Sequence, residues 1–197
     1  MVAADDLTEH RTDLWDGAVS APFLDGVREG SLPPAAFDRW LAQDALFVAD
    51  LLRFQARLLA RAPRPARSVL AAGATALVEE LAWFEEQAAV RGLDLAAAPL
   101  PVTRDYAALL DRLDEAPFPT ALTGLWVLER VYLLAWGSAA GAPEPYAAFV
   151  EHWTSPGFAA YVDALGALAG PDDEQRRRCV EEVLELEAAF WDAGLAS

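Results

Sequence analysis

Apolar positions along the chain recur at three- and four-residue steps, the spacing of an α-helix, and no stretch alternates strictly in the manner of a strand. The first long periodic run opens at "SLPPAAF", where a Ser and a Pro pair mark a helix start, and is interrupted at "RAPRPARS"; one helix is expected over about 34 to 62. The run "RSVLAAGATALVEELAWFEEQAAVRG" keeps the same spacing and stops at Gly92, a common residue at a helix C-terminus. A short linker makes it the antiparallel partner of the first. Further helices are expected over about 103 to 113, 118 to 137, 144 to 153, 156 to 168 and 171 to 193, each set off by Pro, Gly or both. The pattern specifies an all-α, multi-helix bundle. At 197 residues one domain spanning 1–197 with one sizeable core is the expectation.

Three acids interrupt the apolar stripes of this pattern. Asp44 shares a helix face with Phe37, Trp40, Phe47, Val48 and Leu51, where an oily side chain is expected. In "ALTGLWVLERVYLLAWG", Glu129 is in register with Leu122, Leu125, Trp126, Tyr132, Leu133 and Trp136, on a helix apolar enough to be buried over most of its surface. In "RRRCVEEVLELEAAFWDAG", Glu187 lies on the stripe of Val180, Val183, Leu184, Phe190 and Trp191. One such acid reads most simply as a core acceptor for an indole, a phenol or a guanidinium. Three from three helices, each flanked by aromatic residues, point instead to one pocket, because an unsatisfied buried polar group costs about 1 to 3 kcal/mol. An aromatic-walled pocket with a few polar groups is the usual form of a small-molecule site. Burial raises carboxyl pKa values and suits such groups to proton transfer near neutral pH.

Charge narrows the partners. The net charge of -16 leaves no basic footprint for phosphate neutralisation, so neither nucleic acid nor an anionic membrane surface is an expected partner. The apolar content, 54%, excludes a disordered chain. The start "MVAADDLTEHRTDLWDG" has no basic region followed by an apolar stretch, and no run approaches the length of a membrane span. Cys179 is the only cysteine, so no intramolecular disulfide forms and a reducing compartment, the cytoplasm, is the expected location. A di-metal carboxylate centre would need paired Glu-x-x-His motifs. The only histidines, His10 and His152, do not follow a Glu by three residues, and no metal is expected.

The residues resemble those of the TenA family of thiaminase II-like proteins. The resemblance rests on "REGSLPPAAFDRWLAQD", "SPGFAAYV" and "EAAFWD", in that order, and covers about residues 8 to 194. It implies a heme-oxygenase-like helical fold, no heme or metal cofactor, and a buried pocket for an aminopyrimidine. The position of the cysteine nucleophile in the better-known branch matches Leu125 here. The segment "WVLERVYLLAW" instead resembles a branch that lacks the cysteine and carries a glutamate. Carried over, Asp44 matches the acid that holds the amino-pyrimidine edge, Glu187 matches a proton-transfer acid, and Glu129 takes the place of the thiol. Tyr106 in "TRDYAALL" matches a pocket tyrosine, while Phe47 and Trp153 stand where the cysteine branch has tyrosines. With these, Trp126, Tyr132 and Trp191 complete the expected substrate-binding set.

The implied function is a thiamin-salvage hydrolase acting on aminomethylpyrimidine or its N-formyl derivative, releasing ammonia or formate. The alternative is a non-catalytic pyrimidine- or heterocycle-binding protein on the same fold. The resemblance also implies a homodimer, with a tetramer as the other assembly of the family.

Overall fold

A computed structural model of the chain describes residues 12–170 and 173–195. Two short helices come first, α1 (Thr12–Val19) and α2 (Pro22–Glu29). The periodic pattern left both unassigned, because each carries a glycine in its interior, Gly17 or Gly26, a residue that disfavours the helix. Their starts and stops follow local chemistry nevertheless. Pro22 supplies the preset φ of a first helical residue, and Gly30, at φ 69°, ends α2 in the left-handed conformation that glycine adopts without strain.

The expected helices follow. They are α3 (Pro34–Ala60), α4 (Arg67–Arg91), α5 (Pro101–Glu115), α6 (Phe118–Ser138), α7 (Ala147–Trp153), α8 (Pro156–Leu168) and α9 (Glu174–Leu195). Among the described residues there is no strand. The expected bounds differ by two to three residues in several places. α5 begins at Pro101, because proline is accommodated in the first helical turn, and α7 begins only at Ala147, after Pro143 and Pro145.

The longest helices, α3 and α4, run antiparallel. Gln55 near the end of α3 donates to the Leu70 carbonyl at the start of α4 (2.9 Å), while Arg91 at the end of α4 pairs with Asp38 at the start of α3 (2.7 Å). Gln43 ties the connection after α4 back onto α3. Its Oε1 accepts from the Leu100 amide (2.8 Å) and the Thr103 hydroxyl (2.7 Å), and its amide donates to the Ala98 carbonyl (3.2 Å). A buried amide satisfied in this way fixes the strap in place.

α6 packs against α1, α8 and α9 and buries most of its surface. At the centre, Trp40 stacks on Trp191 with ring centroids 5.4 Å apart, and meets Trp136 and Trp153 edge-on at 5.3 and 5.5 Å. These four tryptophans come from α3, α9, α6 and α7, so one aromatic cluster fastens four helices. No described helix is long and apolar enough to cross a membrane.

Candidate functional site

Beside the tryptophan cluster, α3, α4, α6, α7, α8 and α9 enclose a cavity of about 470 Å³. From α3 come Phe47, Val48 and Leu51, from α4 Gly73, Leu77 and Glu80, and from α6 Leu128, Glu129 and Tyr132. His152 and Trp153 enter from the end of α7, Phe158 and Tyr161 from α8, and Glu187 from α9. The size suits a small heterocycle.

Two of the three acids expected from sequence face this space. Glu129 is 7% exposed and accepts no hydrogen bond from the described residues. Burial first, and then the negative charge of Glu80, push its pKa up to about 8. Glu187 accepts a hydrogen bond from the Tyr106 hydroxyl. Burial raises its pKa to about 7, against the lowering effect of that bond. The charge acting on Glu129 belongs to Glu80, so Glu129 and Glu187 respond to different neighbours.

Asp44 is set one residue behind the wall. It is 1% exposed, and Oδ2 accepts from the hydroxyl of Tyr132, which does face the cavity, at 2.8 Å. Oδ1 is buried and has no hydrogen-bond partner among the described residues. Burial holds the Asp44 pKa well above the usual carboxylate range, offset in part by the Tyr132 bond and reinforced by Glu80, Glu187 and Glu129. A neutral carboxyl in this position offers one donor and one acceptor side by side.

The expected aromatic set divides. Phe47, Tyr132 and Trp153 face the cavity. Tyr106 sits behind Glu187 and against Phe47, with ring centroids 4.8 Å apart, and acts as a positioning donor. Trp191 belongs to the tryptophan cluster and donates its indole N–H to the Ala18 carbonyl (2.9 Å). Trp126 lies outside the wall, against Gly166 and beneath the Arg130 guanidinium. Leu125, where the sequence resemblance puts the thiol of the better-known branch, is buried and does not line the cavity. The thiol of Cys179 packs against Gly124 instead, where burial pushes its pKa up to about 12. His10 lies outside the described residues.

Glu80 was missed. Its Oε1 accepts the Trp153 indole N–H at 2.6 Å, and its Oε2 lies 2.5 Å from Nε2 of His152. The signal was present, since Glu80 falls on the α4 stripe of Leu70, Gly73, Leu77, Phe84 and Ala88. That stripe is thin, with small residues at two of its five positions, so an acid on it does not stand out. Tyr161 was missed as well. Its hydroxyl donates to Gln55 (3.2 Å), and the pair fits only because residue 73 is glycine: a Cβ there would lie 2.3 Å from both the Gln55 amide nitrogen and the Tyr161 oxygen.

Comparison with known proteins extends the likeness to the whole chain. Residues 9–197 match the model of the TENA/THI-4/PQQC family. A curated soybean (Glycine max) protein named probable bifunctional TENA-E protein is 28% identical over 206 residues, covering 94% of this chain and 90% of that one. The crystal structure of a TenA homologue from Pyrococcus furiosus superposes with a TM-score of 0.90 at 28% identity, covering 98% of this chain and 99% of that one. A heme oxygenase-like domain of unknown function from Shewanella denitrificans shares the fold, with a TM-score of 0.77 at 16% identity over 97% of this chain and 91% of that one.

Proposed function

This chain belongs to the TENA/THI-4/PQQC family, and from that premise we propose that it is a thiamin-salvage hydrolase that cleaves a C–N bond of an aminomethylpyrimidine or its N-formyl derivative. The observation that carries the reading is Glu129, a buried carboxyl without a hydrogen-bond donor among the described residues, which faces a cavity of about 470 Å³ together with Glu187.

Their surroundings assign their roles: the Tyr106 hydroxyl donates to Glu187 and favours its ionised form, whereas Glu129 has no donor among the described residues and feels the charge of Glu80, which favours its protonated form. Between about 7 and about 8, Glu187 is largely ionised while Glu129 keeps its proton. Glu187 is then the base that takes a proton from the attacking water, with Tyr106 holding its carboxylate in place. Glu129 is the acid that keeps the departing nitrogen protonated. The water oxygen bonds to the carbon and the water's proton goes to Glu187, while the C–N electron pair leaves with the nitrogen, which departs as ammonia from the protonated amine and takes up the Glu129 proton as it leaves from the N-formyl amide. Cys179 does not line the cavity and packs against Gly124, so the reading uses no thiol nucleophile.

Neutral Asp44 complements the edge of an aminopyrimidine, its O–H donating to a ring nitrogen and its second oxygen accepting from the exocyclic amine. The ring reaches it past the Tyr132 hydroxyl, with Phe47 and Trp153 against its faces. A cytoplasmic homodimer, with a tetramer as the other assembly, belongs to the same reading.

Thermal-shift titration with 4-amino-5-aminomethyl-2-methylpyrimidine and its N-formyl derivative tests it, with ammonia and formate assayed in the same wells. Stabilisation with product release is expected. Stabilisation with ligand recovered unchanged would replace the hydrolase by a binding protein, and no response to either compound would overturn both.

A further inference from the structure

We propose that Glu80, gripped between Trp153 and His152, is the specificity-determining group of the cavity and selects a substrate that carries a protonated amine. The inference rests on the hydrolase reading for the identity of the amine, and on the geometry of the wall for everything else.

Each oxygen of Glu80 is engaged once, Oε1 by the Trp153 indole and Oε2 by His152. A carboxylate accepts about four hydrogen bonds, so acceptor sites remain on a side chain that is 17% exposed and lines the cavity. Both grips are braced from behind. His152 stacks on Trp83 with ring centroids 4.1 Å apart and planes inclined by 10°, and Trp153 packs on Trp136 at 4.3 Å. The carboxylate is therefore held in one orientation before any ligand arrives, which is what selective recognition of a small charged group requires.

A structural acceptor for the Trp153 indole would not need a charge. The negative charge of Glu80 bears on Asp44, Glu129 and Tyr132 and makes each of them harder to ionise. The wall contains Glu79, Glu80, Glu129 and Glu187 and no Arg or Lys, so His152 alone among the lining residues can offer a countercharge. A ligand that brings its own positive charge relieves this imbalance, whereas a neutral amide does not and a phosphate ester worsens it. Glu129, which accepts no hydrogen bond from the described residues, feels the negative charge of Glu80 and lines the same cavity. The two residues then divide the work at the departing nitrogen, with Glu129 keeping its proton in place and Glu80 supplying the countercharge.

The test is a set of binding measurements by calorimetry near pH 7.5, with product assays alongside. The ligands are the aminomethylpyrimidine, its N-formyl derivative, the isosteric hydroxymethyl compound and the phosphate ester of the latter. The wild-type protein is expected to bind the amine at least about 10-fold more tightly than either neutral compound, and to show no saturable binding of the ester. Glu80→Gln is expected to weaken the amine roughly 10- to 100-fold while moving the neutral compounds less than about threefold. A purely structural role for Glu80 would weaken all of them together. Equal wild-type affinity for amine and hydroxymethyl compound overturns the inference without recourse to a variant, as does tight binding of the ester or an unchanged preference in Glu80→Gln. A Glu80-dependent preference without turnover would end the hydrolase reading alone, and turnover without the preference would end this inference alone. Binding of none of the compounds would end both.

Discussion

The Tyr132 hydroxyl donates to Oδ2 of Asp44 across 2.8 Å, and Oδ1 of the same buried carboxyl has no donor among the described residues. Tyr132 comes from α6 and Asp44 from α3, so this bond joins the cavity wall to the acid behind it. It is also the one interaction that lowers the Asp44 pKa against burial and three neighbouring acids.

Tyr132→Phe leaves both oxygens of Asp44 without a partner. The expected cost is about 1 to 3 kcal/mol of folding stability, read by urea denaturation at pH 7. An unchanged midpoint would mean that the bond does not hold the acid in place.

The pH dependence of kcat/KM follows from Glu187 near 7 and Glu129 near 8. Below the first value the base is protonated, and above the second the acid is ionised. A bell with its maximum between about 7 and 8 is expected, falling about tenfold per pH unit on either side. Glu129→Gln should lower kcat by roughly 10²- to 10⁴-fold with both substrates. A plateau reaching down to pH 5 would remove Glu187 from the role of base.

Stability should move with pH in the direction opposite to that of a salt-bridged carboxylate. The folded pKa values of Glu129 and Glu187 lie above the ordinary 4.5, so between that value and 7 to 8 the folded state binds more protons than the unfolded one. Their contribution is fully present below about 4.5 and is lost as the pH rises through 7 and 8. The melting temperature of the wild type is expected to fall from pH 5.5 to pH 8.5. Glu129→Gln should flatten that decline and melt higher than wild type at pH 8.5, because it removes a buried charge that no described residue pairs.

Gly73→Ala pits helix propensity against space. Alanine is favoured over glycine in a helix interior by about 1 kcal/mol, but its Cβ would lie 2.3 Å from the Gln55 amide nitrogen and from the Tyr161 hydroxyl. Gln55 is fully buried and anchored to Leu70, so it has little room to yield. A net loss of about 1 to 3 kcal/mol is expected, together with weaker ligand binding as Tyr161 is pushed into the cavity. A more stable variant would show that the pair moves aside freely.

Helical periodicity in the sequence determined the seven helices from α3 to α9, and the register of Asp44, Glu129 and Glu187 on apolar stripes marked them as buried acids. Both readings are local, since a residue's place on a helix face depends only on its spacing from its neighbours. Only the tertiary structure decided which of these acids share a cavity. It set Glu129 and Glu187 on the wall, held Asp44 one residue behind it, and left Trp126 and Trp191 in the packing, because the rotation of each helix against its partners depends on distant parts of the chain, 88 residues away for the Asp44–Tyr132 bond and 173 for the Trp191–Ala18 bond. Glu80 shows the same limit. Its spacing alone allowed burial, but its grip by Trp153 and His152, 73 and 72 residues further along the chain, exists only once α4 and α7 have come together.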